Sequence, residues 1–494
     1  MTNNTSGNDV IGVVIIARHG DREGFYQDPE TYTSSSTAIT PLGVQQEFQL
    51  GALLRSLYLN ASSPSFIQGA TPSTELFNTT QVIARADAGD EGFVIYDSAI
   101  ALVQGLWPPT NLSTTRLANG TNITSPLDGY QYIPVESVEL DQDVTLEGFA
   151  DCPNFDANND AFFNSTGFLQ MQTEFQPFLD ELPPFLDGRP VTLENMHRSQ
   201  IFDYMNVQSI HNETFFKNLP PAFLVEARYL ANWHEYNIFS DTTPGGIGNI
   251  AIQTMLPTII EGMQDITNSS TGLKIHYSAI SYKPFLSLFN VTGVINNGAL
   301  PEGIVNYAAA VVYEIRQTSS SSEPVIRMQF KNGTDDDTFR TIPMTFPGWD
   351  GTTSGGDVPV STFINAFQPI TINTTLEWCN ICAQTTERGC AALIAGSTTA
   401  STHHDRISPV GAGFLGAGLT IVVMAAAIGV LIFLGVLSTG AGKKHRRAPS
   451  GSNRSLHSDE AELHSQVCRS PAIPKSSLMC FVDVLFHWLP MPVE

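Results

Sequence analysis

Basic side chains are scarce in this chain. Its 494 residues carry 24 Lys and Arg against 48 Asp and Glu, a formal net charge of −24. A surface of that sign repels nucleic acid and anionic lipid, so no nucleic-acid partner is expected. Cysteine is sparse too: six residues are too few for a disulfide scaffold, and they lack paired zinc-knuckle spacing. Charged residues make up only 15% and apolar residues 42%, which excludes a disordered or solvating chain and leaves material for a large core. Met1–Asp9 has neither the basic start nor the apolar stretch of an export leader. An exported domain therefore implies a start further upstream or an unusual export route.

Charge is missing altogether from Ile407 to Gly442. Within that stretch Val410–Leu437 is long enough to cross a hydrocarbon core of ~30 Å with some tilt. Lys443, Lys444, His445, Arg446 and Arg447 follow directly, and basic flanks stay on the cytoplasmic side. The reading is a single-pass membrane protein with an extracellular amino-terminal domain and a short cytoplasmic tail over 443–494. Seven Lys/Arg and five Asp/Glu follow position 442, leaving 17 against 43 before it. Fourteen of the 29 asparagines sit in Asn-x-Ser/Thr, including Asn60, Asn78, Asn111, Asn122, Asn212, Asn290 and Asn373. Thirteen of these precede the span, as expected of a glycoprotein facing outward.

The outer region reads as α/β. Residues 10–17 (VIGVVIIA) form a short β-branched run, the pattern of a strand buried on both faces. Thr40-Pro41 opens a helix, with Thr as N-cap and Pro in the first turn. Val44, Phe48, Leu53, Leu54 and Leu57 recur along it at helical spacing and are expected to face the core. Gln81–Arg85 is strand-like, and a helix is expected from Val94 to Leu106, before Pro108-Pro109. Residues 112–270 are mainly helical in pattern; strand-like runs return at Leu273–Ser278 and Tyr307–Ile315, the latter pairing with Pro324–Phe330 as a hairpin. Strands at both ends with helices between them imply a central sheet plus a helical cap. The expected organisation is a core over about 10–111 and 271–395, a cap insertion over 112–270, the span at 410–437, and a tail that is largely disordered.

Cys152, Cys379, Cys382 and Cys390 are an even number on the oxidising side, which predicts two disulfides with three possible connectivities. Trp378-Cys379-x-x-Cys382 also admits a redox reading, against which stands the lack of a βαβ context. Cys468 and Cys480, in the tail, are expected as free thiols. The apolar stretch Leu478–Val493 has no clear periodicity.

The chemistry is expected at Arg18-His19-Gly20-Asp21-Arg22, which leaves the carboxyl end of the first strand, where open α/β sheets place ligands. Two arginines flanking a histidine form an unfavourable cluster unless an anion holds it together. Phosphate suits it, because guanidinium forks bind its oxygens in bidentate fashion and stabilise charge during transfer. Positive charge on either side favours the neutral imidazole of His19, the form that attacks phosphorus.

The run VVIIARHGDREGFYQDP, followed by ITPLGVQQEFQLGALLRSLYLN, resembles the histidine acid phosphatase branch of the histidine phosphatase (phosphoglycerate mutase-like) superfamily. Leu106-Trp107-Pro108-Pro109, Asp151-Cys152-Pro153 and the strand KIHYSA at 274–279 extend the likeness. The resemblance implies a central, mostly parallel sheet flanked by helices, an inserted helical cap, and no cofactor or metal. It makes His19 a transiently phosphorylated nucleophile and Arg18 and Arg22 phosphate ligands. In that family a third arginine stands just before the helix that leads to Leu106, where this chain has Phe93-Val94. Arg85 is the candidate substitute. The family's His-Asp pair, which protonates the leaving group, falls where Ile280-Ser281 stand. Asp97, with Asp87 and Glu91, is then the candidate acid by loop position, and Asp90 adds negative charge to the same loop.

Two functional readings follow. One is a phosphomonoester hydrolase of the acid phosphatase type that works through a phosphohistidine. The other is a catalytically weakened pseudo-phosphatase that binds an oxyanion or a partner at the cell surface; an adhesion or wall-structural role is a third option. The topology predicts that protease added outside intact cells digests the glycosylated region and leaves a fragment containing the 443–494 tail. Recovery of an intact, unglycosylated chain would sink the single-pass reading.

Overall fold

The apolar run after Asp9 becomes the strand on which the rest is built. The computed structural model describes residues 9–24, 37–70, 74–88, 93–139, 143–196, 201–317, 319, 322–351 and 355–402. Strand β1 spans Asp9–Arg18. Val14 and Ile16 enter one hydrophobic layer, while Val13, Ile15 and Ala17 enter the other. Burial on both faces is why the sequence shows an unbroken apolar run and not an alternation.

Among the described residues nine further strands follow: β2 (Val82–Asp87), β3 (Thr114–Arg116), β4 (Asn122–Thr124), β5 (Glu136–Val138), β6 (Ile275–Ile280), β7 (Ala310–Gln317), β8 (Val325–Lys331), β9 (Arg340–Thr341) and β10 (Asp357–Pro359). The main sheet has the order β10-β8-β7-β1-β6-β2-β5, with β9 on β8 and a separate β3–β4 hairpin. Strands β1, β6, β2 and β5 pair in parallel. The β1–β7, β7–β8, β8–β9 and β8–β10 ladders are antiparallel. The sheet is therefore mixed, which corrects the expectation of a mostly parallel one. The reason is the β7–β8 hairpin: a short connection reverses the chain, whereas a parallel neighbour needs a long crossover. The 112–270 region is mainly helical, but it also gives β5 to the sheet edge.

Helix α1 (Pro41–Tyr58) starts where expected, with Thr40 Oγ1 accepting from Gly43 N, and α2 (Val94–Leu106) matches its expected bounds. The buried stripe of α1 differs from the expected one. Gly43, Glu47, Leu50, Gly51, Leu54 and Tyr58 face inward, while Val44 and Phe48 are exposed. Close approach is the cause: a Cβ on Gly51 would lie 2.0 Å from the Leu102 carbonyl oxygen of α2. Small residues win the packed side, and two large ones are left in solvent.

Two disulfides close the carboxyl end, Cys152–Cys382 and Cys379–Cys390. Cys379 and Cys382 thus take different partners, which removes the redox reading of their spacing. Asn60, Asn111, Asn122, Asn212 and Asn373 are exposed and Asn78 is half-buried. Asn290 departs from them: its Nδ2 donates to the Asp241 carbonyl (2.7 Å) and to Asn249 Oδ1 (2.9 Å), so the nitrogen a glycan needs is engaged inside. Residues 1–405 form one unit and 406–494 another. Among the described residues no helix is long and apolar enough to cross a membrane. The expected span at 410–437, the tail at 443–494, Cys468, Cys480 and the 478–493 stretch lie outside the described residues.

Two buried ionisable groups set opposite pH limits. Burial pushes the Glu47 carboxyl well above its usual 4.5, with Lys331 opposing, and neither oxygen has a hydrogen-bond partner among the described residues. A raised folded-state pKa gives stability that is full below about pH 4.5 and is lost as pH rises. His276 is held down to about 4, by burial first and then by Arg85. Its contribution is lost in the other direction, as pH falls from 6.5 toward 4, and amounts to about 3 kcal/mol. Thermal melts across this range should show Glu47→Gln flattening the alkaline fall in Tm and His276→Gln flattening the acid one. Unchanged profiles would remove both groups from the pH dependence.

Candidate active site

Strand β1 ends in the Arg18–Arg22 turn, and its two neighbours pin that turn. Arg18 N donates to the Ala309 carbonyl (2.8 Å), His19 N to the Ile280 carbonyl (3.2 Å), and Ala308 N to the His19 carbonyl (3.0 Å). Helix α2 contributes Ser98, whose Oγ accepts from Gly20 N at 3.1 Å. Helix α1 comes so close that a Cβ on Gly43 would stand 2.0 Å from the Asp21 carbonyl oxygen. Thr40 Oγ1 donates to Asp21 Oδ2, and Gln46 Oε1 accepts from Asp21 N at 2.8 Å. The turn is thus over-determined by both sheet neighbours and both helices, which fixes its side chains in place.

His19 is 1% exposed. Its Nδ1 lies 2.8 Å from the Gly20 carbonyl oxygen. A carbonyl can only accept, so Nδ1 carries a proton, which in the neutral tautomer leaves the lone pair on Nε2. Arg18 donates to the Val305 carbonyl, and its guanidinium lies 4.5 Å from the ring centre of Tyr307 and 5.3 Å from that of Tyr282. Tyr282 is held in turn: its hydroxyl donates to Glu235 Oε2 at 2.6 Å, and Glu235 Oε1 lies 2.9 Å from His234 Nδ1. Arg22 forms a forked ion pair with Asp203, at 2.7 and 3.3 Å, on the helix Phe202–His211. The last residue of that helix places His211 Nε2 2.8 Å from Asp21 Oδ2.

Arg18, His19 and Arg22 are all buried on this turn, and the other candidates do not join them there. Arg85 reaches away, to Glu136 (2.6 Å), Asp143 (2.7 Å) and Thr258 (3.2 Å), because β5 and its following loop line that edge with carboxylates. Its charge is already answered there. Asp97 is exposed in the first turn of α2 and its carboxylate makes no hydrogen bond among the described residues; partial burial lifts its carboxyl above the usual range. Asp87 is buried at the end of β2, and Asp90 and Glu91 lie outside the described residues. Ile280 and Ser281 are buried at 0% and 1% exposure. Phe93, at the family's third-arginine position, has φ +65° and is 66% exposed, a strained backbone for a bulky residue. A cleft of about 460 Å³ lined by Asn154, Asn158, Gly245 and Ile381 shares no residue with the turn. No group of three or more metal-ligating side chains occurs among the described residues.

Ser98, Asp203, His211, Tyr282 and Tyr307 are the site residues that sequence reading missed. Asp203 lies 181 positions from Arg22 and His211 190 from Asp21, so no local pattern joins them. Tyr307 did carry a signal, as the residue that opens the run leading into β7.

A parallel strand that ends in Arg-His-Gly-x-Arg, with the histidine oriented by the following carbonyl, is the arrangement that the resemblance to histidine phosphatases leads one to expect. No protein-family model matches the chain. It is 24% identical over 344 residues to prostatic acid phosphatase of Rattus norvegicus, covering 68% of this chain and 81% of that one. It is 22% identical over 390 residues to the Bos taurus protein of the same name, covering 77% and 90%. Its fold resembles the apo phytase of Hafnia alvei (TM-score 0.51, 14% identity, 75% and 98% covered) and the phytase of Klebsiella sp. ASR1 (TM-score 0.51, 13% identity, 74% and 97% covered). The chain is thus similar in sequence to these acid phosphatases and in fold to these phytases.

The Arg22–Asp203 pair is buried on both sides, at 5% and 8% side-chain exposure. Removing one partner of such a pair strands the other charge, at about 3–5 kcal/mol. Asp203→Ala should accordingly melt well below wild type in chloride, and inorganic phosphate, which can take the vacated guanidinium, should recover part of the loss. Equal melting of variant and wild type in chloride would show that the pair does not support the fold.

Proposed function

We propose that the chain is a membrane-anchored, glycosylated phosphomonoester hydrolase of the acid phosphatase type. The observation that carries this reading is His19, buried with its Nδ1 bonded to the Gly20 carbonyl, on a turn that also buries Arg18 and Arg22. His19 Nε2 is the nucleophile, forming a phosphohistidine that water then cleaves. Arg18 and Arg22 hold the phosphoryl oxygens and balance the charge that develops on them. Relatives named as acid phosphatases support the class of reaction. The charge-free Val410–Leu437 stretch with its basic stop supports the anchor, and the exposed acceptor asparagines support glycosylation with the domain outside the cell.

A second reading is favoured by a specific feature. Arg22 is already answered by Asp203, Arg85 by two carboxylates, and Ile280-Ser281 replace the family's proton-donating pair. In that reading the protein is a pseudo-phosphatase that binds an oxyanion or a partner at the cell surface.

Phosphate release from an aryl phosphate by the purified full chain, measured between about pH 3 and 8, separates the two. Turnover that is lost in His19→Ala supports the hydrolase. Both readings expect phosphate, vanadate or tungstate to raise Tm, by an amount equivalent to about 2.7 kcal/mol at a hundredfold excess over Kd. Arg18→Ala should remove that shift. A shift without turnover selects the pseudo-phosphatase, and no shift in the wild type overturns both.

A further inference from the structure

We propose that the Tyr307 phenol is the hydrogen-bond and proton donor of the His19 site, supplying what Ile280-Ser281 do not. The inference rests on the hydrolase reading above and names the acid that reading lacks. Tyr307 comes from the loop just before β7, whose next residue is bonded to the His19 carbonyl, so its position is fixed relative to the nucleophile. Its ring centre lies 5.5 Å from that of His19, tilted by 46°, and 4.5 Å from the Arg18 guanidinium. The hydroxyl makes no hydrogen bond among the described residues, although Arg22, Asp203, Arg18 and Asp21 all act on it electrostatically. A phenol so placed, half-buried with its ring near that of His19 and its donor unused, is poised for a substrate oxygen.

Two acids near the turn are otherwise engaged. Asp203 is bound to Arg22 through both oxygens, and Asp21 is wholly buried and bonded to Thr40 and His211. Burial raises the phenol above its usual range and keeps it protonated, while Arg22 and Arg18 oppose that rise and stabilise the phenolate once it forms. In the first step the N–P bond forms at His19 Nε2 as the P–O bond to the leaving group breaks. The electron pair of that bond stays on the leaving oxygen, which takes the Tyr307 proton. In the second, water attacks phosphorus, the N–P bond breaks with its electrons returning to Nε2, and a water proton restores the phenol. The sum is ester plus water giving alcohol plus phosphate.

An acid matters most for a poor leaving group. Tyr307→Phe keeps the ring against His19 and Arg18, and it should lower kcat on alkyl phosphates about 10²–10³-fold. On 4-nitrophenyl phosphate, whose anion leaves unaided, the loss should stay below about tenfold, and phosphate should still raise Tm. A purely structural role would lower both substrates alike. If the phenylalanine variant does not fold, 3-fluorotyrosine at 307 acidifies the phenol at constant shape and should move the alkaline limb of kcat to lower pH. An active wild type with unchanged leaving-group dependence in Tyr307→Phe overturns this inference alone. So does a leaving-group dependence that steepens in His211→Asn instead. A wild type without turnover overturns the hydrolase reading and the proton donor with it.

Discussion

Two arginines and a histidine are buried on one turn at the end of a strand that is itself buried on both faces, and the surrounding structure is arranged to make that possible. Charge removed from water must be answered by charge, by hydrogen bonds or by an aromatic face. Arg22 is answered by the forked Asp203 carboxylate, and Arg18 by the Val305 carbonyl and the rings of Tyr307 and Tyr282. These partners come from the helical region, from the loop after β6 and from the approach to β7, so the turn ties distant parts of the chain together. The same compensation sets the chemistry. A phosphoryl group entering the site must either join Asp203 on Arg22 or displace it, and it meets a phenol whose hydroxyl is unused.

The fold supplies the rigidity this requires. The His19 backbone is bonded to β6 on one side and to the approach to β7 on the other, one neighbour parallel and one antiparallel to β1. Beneath it α1 and α2 meet backbone against backbone, which is why glycines occupy the packed face of α1 while Val44 and Phe48 lie in solvent. The disulfides hold the last described helices against the start of the helix Pro153–Phe163, fastening the carboxyl end to the helical region.

Departures from the family pattern have physical consequences that can be read locally. Ile280 and Ser281 continue β6 into a buried, apolar end, and no acid enters from that strand. Phe93 occupies a left-handed backbone position and points outward, so the start of α2 offers the site no cation. Arg85 is drawn to Glu136 and Asp143 because its strand pairs with β5 at the sheet edge, where those carboxylates stand. Each change takes away charge or a proton that the relatives' pattern would place here. Tyr307, on the approach to β7, offers one of those functions.

Local information sufficed for much of this. The buried strand and the turn after it, the start of α1, the limits of α2 and the β7–β8 hairpin are legible because hydrophobic period, capping and turn chemistry act over a few residues. Tertiary structure decided everything that joins residues far apart in the chain. The antiparallel half of the sheet beyond that hairpin, the inward face of α1, the disulfide pairing, the capture of Arg85 and the Asp203 partner of Arg22 all depend on which surfaces meet. Period and propensity say that a residue is buried or that a turn is charged. They do not say what stands opposite, and a buried charge or phenol takes its role from its neighbour in space.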